Sequence, residues 1–263
     1  MPHSPDVALS ALPGAPASPD AHGEPAPPPS ELEAALALTR ARITAAQAWL
    51  GRYLSRERLS HSAGACEKAV ELARLFALPD AVVEQAAMGA LLHDCAKWMS
   101  PLELAQYCQA YGIETQAADM ACPQTLHALV GAHLAEREFG ESDPEVLNAI
   151  RSHTTGRSGM SVVEKLTFIA DKIESNTRNP LFVRKTTECL DYRNVASLDV
   201  AALYLLDATI AFMLEKRQMI HPRAIEARND LIAQLKELRD AHQTPQTERR
   251  NVRIDPANRH QRL

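Results

Sequence analysis

The chain has 263 residues, 46 % apolar and 23 % charged, which suits one sizeable globular domain with tails. A formal charge of −5 argues against a general nucleic-acid binder, which carries a basic excess. Aromatic residues make up only 5 %, and Ala and Leu are plentiful, so helix is favoured over sheet.

Residues 1–30 hold nine of the 17 prolines and almost no large apolar side chains, and read as a disordered tail with no core of its own. A helical extension is expected over 31–56, capped by Ser30, with Glu31 and Glu33 in its first turn and its last residues near Trp49. The main domain is expected over 57–240. Its first helix, about 57–77, aligns Ala65, Ala69, Leu72 and Phe76, with His61 one turn earlier on that face. The next starts after Pro79 with Asp80 as cap and closes near His93-Asp94. Ser100-Pro101-Leu102-Glu103 combines a cap, a first-turn proline and a capping-box Glu, and opens a short helix that ends near Tyr111-Gly112.

Residues 112–123 read as a loop. A helix over about 124–139 presents Leu126, Leu129, Val130 and Leu134 to a core and stops at Gly140. Asp143-Pro144 opens a helix that reaches His153, and 154–159 is a second loop. Ser161-x-x-Glu164 is another capping box, and its helix carries Leu166, Ile169, Ala170 and Ile173 inward to about Glu174. Helices at about 181–192, 196–217 and 222–240 follow, and 241–263 is a polar tail. The expected architecture is an all-α bundle of about eight to ten helices.

Five cysteines without a C-x-x-C pair fit a reducing, cytoplasmic setting better than a disulfide framework. No long uninterrupted apolar run suggests a membrane span, and no signal peptide pattern opens the chain.

The chemistry gathers on a few inward positions. Val83, Ala87, Ala90 and Asp94 form one helical stripe, and Val82, Ala86, Gly89 and His93 its neighbour, so both polar residues continue faces that should be buried. A buried carboxylate needs compensation, and a metal ion is one form of it. His61, His127, His153 and Asp171 lie near helix ends or on inward faces. With His93 and Asp94 they supply four imidazoles and two carboxylates. Any one of these histidines alone is more often a hydrogen-bonded core residue than a ligand. Together they match a two-metal site, in which a carboxylate bridges two cations and imidazoles complete their spheres; such ligands suit Fe, Mn or Zn. Lys172 and Glu174 read as a solvated face, with Glu174 alternatively supporting a ligand histidine or Arg178 from behind. His221 reads as a helix-start residue.

The order H…HD…H…H…D resembles the HD-domain superfamily of metal-dependent phosphohydrolases. Leu92-His93-Asp94-x-x-Lys97, Leu126-His127, His153-Thr154-Thr155-Gly156 and Ala170-Asp171-Lys172-Ile173-Glu174 narrow the resemblance to the YqeK family of bacterial symmetrical dinucleoside-tetraphosphate hydrolases. Arg58-x-x-His61 and Pro222…Ala227-x-Asn229 are similar too, and the likeness covers about 55–235. It implies an HD-domain helical bundle with two metal ions per chain, iron in related proteins. His61, His93, Asp94 and Asp171 would hold one ion, and His127 and His153 the other, with Asp94 bridging. It implies hydrolysis of diadenosine tetraphosphate to two ADP by a metal-bound hydroxide, with Asp94 and Lys97 as catalytic residues. Arg58, Lys97, Thr154, Thr155, the Gly156 backbone and Arg178 would bind phosphate beside the ligand histidines. The expected partner is a dinucleoside polyphosphate, with no nucleic acid and no membrane, and relatives suggest a homodimer. A broader nucleotide phosphohydrolase and a non-catalytic nucleotide-binding module of the same fold are the competing expectations.

Overall fold

The structure, a computed structural model, describes residues 31–174 and 180–243. The Pro-rich segment with Ser30, the tail beyond 243 and Arg178 lie outside the described residues. Among the described residues there is no strand, and eleven α-helices follow in order: α1 Glu31–Leu50, α2 Arg56–Leu75, α3 Asp80–Leu92, α4 Pro101–Tyr111, α5 Ala117–Ala121, α6 Leu126–Leu134, α7 Pro144–Ser152, α8 Val162–Ile173, α9 Pro180–Thr187, α10 Ser197–Glu215 and α11 Pro222–Gln243.

The bundle is organised around α3. Its two sides serve two different hydrophobic clusters. Val83, Ala86 and Ala90 join Ala69 and Leu72 of α2, Leu166 and Ile169 of α8, and Ala202 and Leu205 of α10. Ala87, Met88, Leu91 and Leu92 join Trp49 and Leu50 of α1, Leu104 of α4, Val130 of α6 and Ile150 of α7. A helix covered on both sides must be largely apolar, and the polar residues of α3, Asp80, Glu84 and Gln85, lie in its first half and are not buried. At its C-terminal end the polar side chains of His93 and Asp94 are buried among neighbouring helices. Gly89 permits the closest approach in this layer. A Cβ there would sit 2.8 Å from Thr167 Oγ1 on α8 and 3.0 Å from Ala149 Cβ on α7.

Helix boundaries follow local chemistry where the capping signals are complete. Ser100/Glu103 and Ser161/Glu164 both form reciprocal capping boxes, and Asp143 accepts from the Glu145 amide at the start of α7. Three expectations need correction. Pro79, not Asp80, is the cap residue of α3, and the Asp80 carboxylate instead pairs with Arg74. The expected loop 112–123 contains α5, which Gln116 and Asp119 cap reciprocally. The expected helix 124–139 is three pieces: a 3₁₀ turn Pro123–Thr125, α6, and a π turn Ala135–Phe139. That turn ends at Gly140, whose φ of 83° suits glycine and lets its N–H and that of Glu141 share the Ala135 carbonyl.

Helix α10 is long and apolar enough to cross a membrane by length and composition. Its Leu198, Ala201, Ala202, Leu205 and Leu206 are buried in the first cluster, the arrangement of a core helix.

Candidate metal centre

Six side chains from five helices meet at the C-terminal end of α3. His61 comes from α2, His93 and Asp94 from the turn closing α3, His127 from the first turn of α6, His153 from the residue after α7, and Asp171 from the last turn of α8. The α3 helix ends in tightened turns, with Cys95, Lys97 and Met99 amides bonded three residues back, which keeps His93, Asp94 and Lys97 on a compact corner. His93, Asp94, His127 and His153 are buried, and His61 and Asp171 nearly so.

One local device orients three of the histidines. The Nδ1–H of His93, His127 and His153 donates to the carbonyl three residues earlier, Ala90 at 2.6 Å, Gln124 at 2.6 Å and Ile150 at 2.7 Å. His61 uses a side chain instead, donating from Nδ1 to Glu174 Oε1 at 3.2 Å. Every Nδ1 is thus occupied by an acceptor, and every Nε2 turns inward.

The Nε2 atoms meet in pairs. His61 Nε2 lies 3.1 Å from His93 Nε2, and His127 Nε2 lies 3.1 Å from His153 Nε2. Two imidazoles that both carry their proton on Nδ1 would oppose bare lone pairs across that gap, a repulsive contact in a dry site unless a cation sits between or beside them. The carboxylates stand where such cations would be. Asp94 Oδ1 is 3.3 Å from His127 Nε2, 3.4 Å from His153 Nε2 and 3.6 Å from His93 Nε2, and Asp94 Oδ2 is 4.0 Å from His61 Nε2. Asp171 Oδ1 is 3.1 Å from His61 Nε2 and 3.5 Å from His93 Nε2. The donor set, imidazole nitrogens and carboxylate oxygens, fits a borderline transition metal.

Electrostatics point the same way. Burial alone would raise the Asp94 carboxyl. His93, the His127 and His153 rings beside its Oδ1, and Lys97 outweigh it and hold the group well below the usual carboxylate range. Asp171 follows the same pattern: burial is overcome by Lys172, His93 and the neighbouring His61 ring. Burial drives His153 down to about 3 against the bond to Asp94, so its ring is a neutral base. Burial also pushes His93 down, but Asp94 and Asp171 together win and raise it. Both aspartates are thus biased towards the carboxylate form.

Around this cluster, Lys97 Nζ lies 3.2 Å from Asp94 Oδ1, and its side chain is about one-third exposed, at the mouth of the site. Thr154 Oγ1 lies 3.2 Å from His153 Nε2 and 3.4 Å from His127 Nε2. Thr155 and Gly156 turn away: the Thr155 hydroxyl donates to the Gly156 carbonyl, and the Gly156 amide donates to the Ser152 carbonyl. Thr154 is the residue of this loop whose hydroxyl lies beside the histidine pair. Arg58 is exposed beyond His61 and makes no ion pair among the described residues.

The HD-domain family model matches residues 58–176, a span holding all six residues of the cluster. A symmetrical bis(5'-nucleosyl)-tetraphosphatase from Halalkalibacterium halodurans is 34 % identical over 184 residues, covering 70 % of this chain and 94 % of that protein. The chain belongs to the YqeK family of HD-domain symmetrical bis(5'-nucleosyl)-tetraphosphatases. The Bacillus subtilis enzyme of the same name is 33 % identical over 190 residues, covering 72 % of this chain and 96 % of that protein. A crystal structure at 1.50 Å of a protein from Clostridium acetobutylicum, described as a predicted HD superfamily hydrolase involved in NAD metabolism, gives a TM-score of 0.66 at 35 % identity, over 72 % of this chain and 96 % of that one. Membership of this tetraphosphatase family makes the chain a hydrolase.

Two features of this family member escaped the sequence reading. Lys172 and Glu174 are not a solvated face: Glu174 is fully buried behind His61, and Lys172 Nζ donates to the His153 carbonyl and lies over the Phe168 ring. The alternative of Glu174 supporting a ligand histidine is the one that its bond to His61 matches. Second, buried Asp119 on α5 accepts from His221 Nε2 at 3.0 Å and from the Arg223 guanidinium at 3.0 and 3.2 Å. This clamp ties the segment leading into His127 to the start of α11, which packs on the Gly156 turn. His221 is thus more than a helix-start residue. Its only sequence signal was a histidine beside Pro222 a hundred residues from its partner.

Proposed function

We propose that the protein hydrolyses diadenosine tetraphosphate symmetrically, yielding two ADP, at a site that holds two metal ions. The observation that carries this reading is the inward convergence of four Nε2 atoms on Asp94 and Asp171, with every Nδ1 already bonded. The names of the relatives supply the substrate class and the symmetric cleavage. His61, His93, Asp94 and Asp171 would hold one ion, and His127, His153 and Asp94 the other. Iron, manganese and zinc all accept such ligands. Bound there, the pair would supply a water nucleophile at neutral pH and positive charge for the phosphoryl oxygens.

The chain's own groups divide the remaining work. Asp94, held ionised, joins the two halves of the centre. Lys97, already beside Asp94 and open to the mouth, faces the negative tetraphosphate and offsets charge that grows as the central bridge breaks. Thr154 stands over the His127–His153 pair, where its hydroxyl can donate to a phosphate oxygen. Arg58 lies at the mouth as a bidentate phosphate ligand, and Arg178 is assigned the same role on sequence grounds. The walls of apolar helices keep bulk water from the reacting centre. The five free cysteines accord with a reducing cytoplasmic setting.

The test is product analysis. Metal-loaded protein incubated with diadenosine tetraphosphate should give ADP as the sole nucleotide product. AMP with ATP in equal amounts, or no turnover, would overturn the symmetric hydrolase reading.

A further inference from the structure

A dinucleoside tetraphosphate carries a base at each end, and the centre described so far accounts only for phosphates. Resting on the proposed function, we propose that the stacked Tyr53–Trp98 pair at the rim of the site is a platform on which one nucleobase of the substrate stacks.

Four observations converge. The pair is built and exposed: the rings lie 5.5 Å apart, inclined by 19°, with Trp98 44 % and Tyr53 37 % exposed. It is braced from behind, because Tyr53 Oη donates to Glu138 at 3.3 Å and Trp49 packs edge-on against Tyr53. A pre-oriented aromatic face open to water is the form that base stacking uses, and every base has a π-face to offer it.

The pair also lies where an outgoing nucleoside must pass. His61 and Asp171, at 9 %, are the most exposed of the six central residues, and Lys97, beside Asp94, is about one-third exposed. Trp98 follows Lys97 directly. Three residues separate it from Asp94, which limits their Cα separation to about 15 Å. On the other edge of the mouth, the chain runs from His61 back through Arg58 to Tyr53.

Charge matches the path. Arg52, Arg56 and Arg58, flanking Tyr53 in the chain ahead of His61, are all exposed, against the exposed acids Glu57 and Glu138, and none of the three makes an ion pair among the described residues. A positive track ending on an aromatic face is the arrangement that binds a nucleoside attached to a polyphosphate. Tyr53 covers one face of Trp98, and the base takes the other.

The test uses the metal-loaded full chain and ADP, half of the proposed substrate. The protein has two tryptophans, Trp49 and Trp98. ADP should quench intrinsic fluorescence in the wild type and lose that effect in Trp98→Phe, whose one remaining tryptophan is Trp49. Trp98→Ala should raise KM for diadenosine tetraphosphate by about tenfold or more, the worth of a base–aromatic stack, with a much smaller change in kcat. Trp98→Phe, which keeps a stacking face, should restore KM to within about threefold. An ADP quench that persists in Trp98→Phe, or a Trp98→Ala variant with unaltered KM, overturns the platform and leaves the hydrolase reading intact. Quenching through Trp98 in a protein that never cleaves the dinucleotide keeps the platform and overturns the hydrolase reading.

Discussion

The two halves of the histidine cluster use the same kind of ligand in unequal surroundings. The His61–His93 half has a carboxylate of its own, Asp171, 3.1 Å from His61 Nε2, and a second acid, Glu174, behind His61 Nδ1. The His127–His153 half has no acid of its own. Its anion is Asp94, shared from the end of α3, and both of its Nδ1 atoms rest on backbone carbonyls. On the proposed reading, a cation in the first half would be matched by fixed negative charge, and one in the second would keep positive charge for an incoming phosphate, with Thr154 over that half. The first would thus be a holding half and the second a working half, joined through one carboxylate.

Removing the joint should have the largest effect. Asp94→Ala takes an acid from both halves, so activity should fall by more than about 10³-fold, beyond the 10- to 100-fold typical of outer-shell changes, and metal content should drop sharply. Wild-type turnover in this variant would be incompatible with a shared carboxylate. Asp171→Asn should act on the holding half alone. Metal affinity measured by chelator competition should show one weakened class of site and one preserved. Uniform weakening of both would erase the distinction between the halves.

Smaller changes sharpen the same contrast. Glu174→Gln leaves every ligand in place but weakens the partner that orients His61, so affinity in the holding half should fall about 10- to 100-fold while His127 and His153 keep theirs. An unchanged affinity would mean that Glu174 serves packing only. Thr154→Val should lower kcat by about fivefold, the worth of roughly one neutral hydrogen bond, with metal content unchanged. Loss of metal in Thr154→Val would assign the hydroxyl to the metal shell instead of the phosphate.

Much of the bundle was legible because its signals are local. Ser100/Glu103 and Ser161/Glu164 carry complete capping boxes within four residues, and the α3 stripe announces that His93 and Asp94 are buried. The six central residues were legible for a related reason, since each sits where an apolar face meets a helix end. Features that depend on distant partners were not. Glu174 closes on His61 across 113 positions, and Asp119 on His221 across 102, and neither pairing has a periodicity to betray it. Helix α5 was missed because five residues are too few for an amphipathic pattern. The π turn was missed because the run from Leu126 to Phe139 keeps an unbroken helical pattern up to Gly140. The internal bonds of the Thr155 hydroxyl and the Gly156 amide likewise have no sequence signal, because only the folded path of that loop brings their acceptors within reach.

The most direct test of two unequal halves joined by Asp94 is elemental analysis of the purified protein beside its His127→Ala variant, both loaded identically and passed over a desalting column. The account predicts about two ions per wild-type chain and about one in the variant, retained by His61, His93, Asp94 and Asp171. Equal metal content in the two proteins, or complete loss from the variant, would contradict it.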